Sequence, residues 1–163
     1  RRLRGVLDLV GETALASSTD RALDTLFDEY RCLYADHWVL FDDVVPTLTR
    51  LRAFGVPVAV LTNGQPGQQH EKLERTGLAA HVDVLLTVAD VPAPKPDARA
   101  FAALCARLRV PPPQVVFVGD DLGVDVTGAQ AAGLLAVHLD RTGSASRSPG
   151  HPTIRTLVDL MLP

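Results

Sequence analysis

The sequence has little of what marks a membrane, secreted or nucleic-acid-binding protein. It contains two cysteines, Cys32 and Cys105, which lie far apart and show no metal-ligand or disulfide-framework spacing. No apolar run approaches the length that a bilayer requires. Charge is nearly balanced, with 16 Lys and Arg residues against 19 Asp and Glu residues. These absences exclude a disulfide scaffold, and we expect a cytoplasmic protein with neither nucleic acid nor a membrane as partner.

Hydrophobic residues make up 47% of the 163 positions, which is enough for the core of one ordinary domain. The first forty residues look helical, because apolar side chains recur there at spacings of three and four. From Asp42 onward a different pattern repeats, in which an amphipathic helix is followed by a short apolar run and a turn. Continuous apolar runs are typical of parallel strands that are covered on both faces.

This alternation predicts an α/β fold built on an open, doubly wound parallel sheet. A Ser/Gly/Pro-rich loop is expected over residues 141–152, followed by a short helix after Thr156. The predicted strands are 57–61, 82–88, 115–118 and 134–139, and the predicted helices between them are 44–54, 68–76, 97–108 and 124–132.

Ligands of open α/β sheets bind beyond the carboxyl ends of the strands, so the residues that follow each apolar run are the candidate site. Thr62, Asn63 and Gly64 follow the first strand, and Lys95 stands between two prolines before the third helix. The strand ending at Val118 is followed by three carboxylates, those of Asp120, Asp121 and Asp125.

Three carboxylates in one turn repel each other unless a cation neutralises them, and hard oxygen ligands suit Mg²⁺. The alternative is that Asp120 and Asp121 cap the next helix, where carboxylates stabilise exposed backbone N–H groups. Lys95 has the charge to stabilise a transferring phosphoryl group, or it is an ordinary surface lysine. Thr62 and the Asn63 amide suit phosphate oxygens, or they simply end the strand.

Taken together, three segments resemble motifs II, III and IV of the haloacid dehalogenase (HAD) superfamily of hydrolases. They are Val60–Gly64, Lys95–Asp97 and Val118–Gly128, and the last has the superfamily's GDxxxxD form. The resemblance covers roughly residues 39 to 140. Within the superfamily it is strongest to phosphatases of small metabolites, such as N-acylneuraminate-9-phosphatases and pyrimidine 5′-nucleotidases.

The resemblance implies a Rossmann-like HAD core over residues 39–163 and a partial helical cap over residues 1–38. It also implies an enzyme that hydrolyses a small phosphorylated metabolite with Mg²⁺ through an aspartyl-phosphate intermediate. The implied catalytic residues are Lys95, Asp120 and Asp125; the implied phosphate-binding residues are Thr62, Asn63, Gly64 and Lys95; and the implied metal ligands are Asp120, Asp121 and Asp125.

The superfamily's first motif, Asp-x-Asp-Gly-Thr, supplies the nucleophile and is absent from this sequence. The nearest imitation places Asp8 as nucleophile but has Val10 where the acid/base carboxylate belongs. We therefore expect the nucleophile upstream of Arg1, and the 163-residue chain alone to be inactive. Two alternatives stay open: a dehalogenase, which needs no metal-binding carboxylates, and a non-catalytic HAD-like binding module. The sequence carries no signature of oligomeric state.

Overall fold

Helices and short strands alternate through residues 37–143 and 150–160, the part of the chain that the computed structural model describes. The described residues from Leu40 onward belong to one compact unit. The predicted cap over residues 1–38 falls almost wholly outside the described residues, as do Asp8 and Cys32, and its prediction stays a prediction. Within the described part no helix is long and apolar enough to cross a membrane.

The observed elements confirm the predicted α/β alternation. The strands are β1 (Ala59–Leu61), β2 (Val84–Leu86), β3 (Val116–Gly119), β4 (Leu135–Leu139) and β5 (Thr153–Ile154). The helices are α1 (Val44–Ala53), α2 (Pro66–Arg75), α3 (Ala98–Leu108) and α4 (Gly128–Ala131), with a π-helix at Leu122–Thr127 and 3₁₀ turns at Leu78–His81, Pro112–Gln114 and Leu157–Asp159.

Local sequence explains where these elements begin and end. Pro66 opens α2 at a position where a helix needs no N–H donor. The carboxylate of Asp97 accepts a hydrogen bond from the backbone N–H of Arg99 and so caps α3. Gly77 ends the α2 region with φ of 73°, a left-handed conformation that glycine adopts without strain.

The described strands form two parallel sheets rather than one. β1 pairs with β2, with Leu61 opposite Leu86. The second sheet has the order β3-β4-β5, with Gly119 opposite His138. Within the described residues the expected single sheet is therefore divided between β1 and β3, the strands that carry the candidate site residues at their ends.

Helix α3 packs against both sheets and joins them into one core. Its residues Phe101 and Leu104 share a hydrophobic cluster with Leu61 of the first sheet and Phe117 of the second. The rings of Phe101 and Phe117 meet edge to face, with centroids 5.0 Å apart. Because one helix packs against both sheets, we interpret them as two parts of one interrupted sheet and not as two independent sheets.

Two predicted elements differ in the structure. The helix expected at 124–132 begins as a π-helix at Leu122, because the backbone oxygen of Asp121 accepts from both Asp125 and Val126. The helix expected after Thr156 is a single 3₁₀ turn within the residues described there. The two-residue strand β5, which pairs in parallel with the end of β4, is too short to give a sequence pattern.

Candidate active site

The turn after β1 holds the first group of predicted site residues. Thr62 extends the strand pairing by donating its backbone N–H to the carbonyl oxygen of Leu86 at 2.9 Å. Its hydroxyl oxygen accepts a hydrogen bond from the backbone N–H of Gly64 at 3.0 Å. Because this oxygen is used as an acceptor, the hydroxyl hydrogen is left to be donated to a ligand.

The side chain of Asn63 binds the backbone of Lys95, 32 residues further along the chain. Its Oδ1 accepts the Lys95 N–H at 2.8 Å, and its Nδ2 donates to the Lys95 carbonyl oxygen at 2.9 Å. The amide oxygen and one of the two Nδ2 hydrogens are therefore used within the protein. The backbone N–H of Asn63 and the second Nδ2 hydrogen are left for a phosphate.

The ammonium of Lys95 points into the protein and pairs with Asp125. Its Nζ lies 2.7 Å from Asp125 Oδ1, and the two side chains are 11% and 8% exposed. The same Nζ lies 5.3 Å from the centroid of the Phe117 ring, within the range of a cation–π interaction. The alternative of an ordinary surface lysine is therefore wrong for the structure described here.

The acidic turn after β3 uses its carboxylates in three different ways. Asp121 Oδ1 accepts from the N–H groups of Gly123 and Val124, each at 2.8 Å, so this residue is a helix cap. Asp125 Oδ2 accepts from the backbone N–H of Asp121 at 3.3 Å, while its Oδ1 binds Lys95. Asp120 is exposed, and its carboxylate makes no hydrogen bond to the described residues. Of the three, Asp120 is the most accessible to a ligand.

Glycine is required at position 119 by the close approach of this turn. A Cβ atom at Gly119 would overlap the side chain of Asp125. The overlap involves the Cβ of Asp125 as well as its carboxylate, so a rotation of the carboxylate alone would not relieve it. The Gly-Asp sequence at the end of β3 therefore reflects space needed by the Lys95–Asp125 pair.

His138 is a site residue that the sequence analysis did not identify. It is 4% exposed on β4, and its Nε2 lies 3.2 Å from the backbone oxygen of Asp120. A carbonyl oxygen accepts, so Nε2 carries the proton and donates it. The register that places His138 opposite Gly119 explains the contact, but a histidine inside an apolar strand gives no such signal in the sequence.

The donor set fits Mg²⁺ in part. Within residues 37–143 and 150–160, no three His, Cys, Asp or Glu side chains converge to hold a metal ion. Enzymes that act on phosphates, however, usually bind Mg²⁺ through one or two carboxylates, with water and substrate oxygens completing the shell. The Asp120 carboxylate and the second oxygen of Asp121 meet that lower requirement. The three-carboxylate ligand set, Asp125 included, stays a prediction.

An open hollow of about 750 Å³ lies at the carboxyl ends of β3 and β4. Asp120, Asp121, His138 and Arg141 line it, together with Phe41. Arg141 is not a free cation there, because Nη1 and Nη2 each donate to an oxygen of Asp43 at 3.0 Å. Its guanidinium also stacks on Phe41, 3.9 Å from the ring centroid.

The carboxylate of Asp43 accepts four hydrogen bonds from other described residues. Burial alone would raise the pKa of Asp43, but hydrogen bonds from Arg141, the Thr156 hydroxyl and the Leu157 backbone N–H outweigh it and hold the pKa at about 2. The cluster ties the start of α1 to the end of β4 and to the segment after β5.

The haloacid dehalogenase-like hydrolase family matches residues 1–133 of the chain. This chain belongs to that family. The resemblance drawn from the three motifs is thus confirmed.

Relatives of this HAD chain include phosphatases and a dehalogenase. The ribulose-1,5-bisphosphate 5-phosphatase of Halopiger xanaduensis is 39% identical over 71% of this chain and 48% of its own length. The N-acylneuraminate-9-phosphatase of Mus musculus is 30% identical over 83% of this chain and 55% of its own length. The (S)-2-haloacid dehalogenase 1 of Pseudomonas sp. is 34% identical over 71% of this chain and 48% of its own length.

A solved structure agrees with the fold. The HAD phosphatase from Thermococcus onnurineus superposes with a TM-score of 0.69 and 39% sequence identity, over 73% of this chain and 55% of that one. The HAD chain described here therefore spans about half the length of the curated relatives it matches.

Proposed function

We propose that this chain forms the larger part of the catalytic core of a Mg²⁺-dependent phosphatase that hydrolyses a small phosphorylated metabolite. One observation carries the proposal: Lys95 binds the polar turn after β1 through its backbone and the acidic turn after β3 through its buried ammonium. A dianionic phosphate needs hydrogen-bond donors and fixed positive charge, and its leaving group needs charge stabilisation as the ester bond breaks. The proposed metal and substrate class rest on this arrangement together with the phosphatase relatives.

The turn after β1 is the proposed phosphate cradle. The Thr62 hydroxyl already accepts from Gly64, which turns its hydrogen outward toward an incoming oxygen. The backbone N–H of Asn63 is the neighbouring donor. Lys95 supplies the positive charge that offsets the developing negative charge in the transition state, and Asp125 holds its ammonium in place.

Asp120 and Asp121 would hold the magnesium ion. When bound, Mg²⁺ neutralises phosphate charge and aligns the ester with its nucleophile. The role of this chain is to supply an uncommitted carboxylate at Asp120 and to fix the direction of the turn, since Asp121 caps the π-helix and Asp125 binds the Asp121 N–H.

The nucleophilic aspartate is expected upstream of Arg1, on a strand that lies between β1 and β3. Support for this position comes from the divided sheet, because both sheets pack under α3 and yet share no backbone pairing within the described residues. A parallel strand inserted there would satisfy the inner edges of both sheets and end beside Lys95 and Asp120. Attack by its carboxylate on phosphorus would form an aspartyl-phosphate as the P–O bond to the leaving alcohol breaks, and water would then hydrolyse this intermediate to inorganic phosphate and the free aspartate.

Two alternative functions make different demands on the same residues. A dehalogenase attacks carbon and has no use for a metal, so the uncommitted Asp120 carboxylate favours the phosphatase. A binding module that has lost catalysis would need no buried lysine at the centre of the site, although it is compatible with the chain. Activity measurements separate all three.

The test is hydrolysis of p-nitrophenyl phosphate by the complete polypeptide, with Mg²⁺ and after chelation. Turnover should require Mg²⁺ and should fall by orders of magnitude in Asp120→Asn and Lys95→Ala, because each removes charge that acts on the phosphate. Asp42→Asn, an exposed aspartate ahead of α1, is the matched control and should retain full activity. The 163-residue chain alone should release no phosphate. Full activity after chelation, or in Lys95→Ala, would refute the proposal.

A further inference from the structure

The Asn63 side chain and the Lys95 backbone form a two-bond contact that resembles one rung of a β-ladder. Its amide directs its oxygen and one N–H toward Lys95 side by side, as a residue of a strand directs its C=O and N–H, and Lys95 meets them with its own N–H and C=O at 2.8 and 2.9 Å. In sheets this reciprocal pairing fixes the position of one backbone relative to another. Here it links the tip of β1 to the segment before α3.

The segment before α3 has few other backbone N–H groups that could hold it in place. Pro92, Pro94 and Pro96 have no backbone N–H, so between positions 92 and 96 only Ala93 and Lys95 can donate. The lysine side chain beyond it is long and flexible, and its ammonium must reach Asp125 in a nearly buried position. The position of the Lys95 Cα atom therefore determines the fraction of time that the ammonium lies beside Asp125.

We infer that Asn63 is a positioning residue for Lys95. The two bonds to Lys95 occupy the amide oxygen and one of the two Nδ2 hydrogens. The catalytic importance of the contact rests on the proposed function, since that function gives Lys95 its role. The placement of Lys95 by Asn63 does not depend on it and can be tested without turnover.

The sequence makes this test simple, because it contains two lysines, Lys72 and Lys95. Lys72 is exposed on α2 and serves as an internal reference, whereas the Lys95 side chain is 11% exposed. Acetylation of the folded 163-residue chain with a water-soluble active ester, followed by mass spectrometry of peptides, gives the ratio of the two rates. In the unsubstituted chain Lys95 should react much more slowly than Lys72.

Asn63→Ala removes both bonds, and the Lys95 rate relative to Lys72 should rise roughly tenfold, the effect of losing two modest hydrogen bonds. Asn63→Asp keeps the acceptor for the Lys95 N–H but loses the donor to its carbonyl oxygen, so its ratio should lie between the two. Gln65→Ala is the matched control, an exposed amide in the same turn whose side chain makes no cap bond, and it should leave the ratio unchanged.

Circular dichroism shows that each variant is folded before its ratio is read, and if Asn63→Ala unfolds the chain, the Asn63→Asp ratio decides. A ratio that stays at the unsubstituted value in the folded Asn63 variants would overturn the inference, as would equal reactivity of both lysines in the unsubstituted chain. In the complete enzyme, Asn63→Ala should have little further effect on kcat once Lys95 is already alanine. A lack of phosphatase activity would refute the proposed function and leave the acetylation result standing.

Discussion

Breaking the Lys95–Asp125 pair should destabilise the fold more than the pair itself stabilises it. At 2.7 Å the attraction between the two charges is about 6 kcal/mol for an effective dielectric constant of about 20. The cost of taking both ions out of water offsets most of this attraction, because the side chains are only 11% and 8% exposed. The net contribution of the intact pair is therefore small.

Removing one partner leaves the other charge buried and unpaired. Lys95→Met, which keeps the length of the side chain, should lower the free energy of unfolding by about 3 kcal/mol. Asp125→Asn should cost less, about 2 kcal/mol, because the amide oxygen still accepts from the ammonium. The double variant buries neither charge and should unfold within about 1 kcal/mol of the original chain.

The assay is urea unfolding of all four proteins at pH 7, followed by far-ultraviolet circular dichroism. The expected coupling between the two positions is about 4 kcal/mol, the difference between the summed single losses and the loss in the double variant. If a single variant is too unstable to fold, recovery of the fold in the double variant gives the same answer. Single losses below about 1 kcal/mol, or losses that simply add, would show that the pair is solvated and that the buried site is wrong.

Two further predictions concern residues around the site. The pKa of Asp43 lies at about 2 in the fold against 3.8 otherwise, so the stabilisation by its carboxylate is complete above pH 4 and is lost as the pH falls from about 4 to about 2. Asp43→Asn should therefore lower the free energy of unfolding at pH 7 by about 2 kcal/mol, and with it the unfolding temperature, and should flatten the acid limb of the stability–pH curve. An unchanged acid limb would contradict the assignment. Gly119→Ala should lower the free energy of unfolding, measured by thermal unfolding, by about 1–3 kcal/mol, because the new methyl group overlaps Asp125. Gly67→Ala on α2 is the control: its new methyl group meets no atom within 4 Å and should be neutral. Equal behaviour of the two variants would refute the packing argument.

Periodicity and turn chemistry were sufficient to predict the alternating fold and the rim of the site. Continuous apolar runs identified four strands. β1, β2 and β4 lie within predicted runs, β3 extends one residue past its run to Gly119, and β5 was not predicted. Polar residues after β1 and β3 were predicted to meet, and the Lys95 contacts to Asn63 and Asp125 show that they do. The prediction worked because parallel strands bring their carboxyl ends to one edge.

What the sequence did not predict depends on contacts between distant residues. Residue type alone did not show that Asn63 uses both ends of its amide on Lys95, nor that His138 donates to the Asp120 backbone. The three aspartates look equivalent along the chain, yet one caps a helix, one pairs with a lysine and one is uncommitted. Their division of roles follows from the π-helix, whose extra residue per turn brings Asp125 back toward Gly119.

The residues proposed for catalysis also connect parts of the fold that backbone pairing leaves separate. In the described part of the chain no ladder joins β1 to β3, and the contacts between their tips run through Asn63, Lys95 and Asp125. A strand between the two sheets would pair with both of them. The contacts among Asn63, Lys95 and Asp125 would then join strands of a sheet that is already continuous. Stability lost in Lys95→Met should accordingly be smaller in a polypeptide that supplies that strand than in the 163-residue chain. If the two losses are equal, Asn63, Lys95 and Asp125 position the catalytic groups without holding the two sheets together.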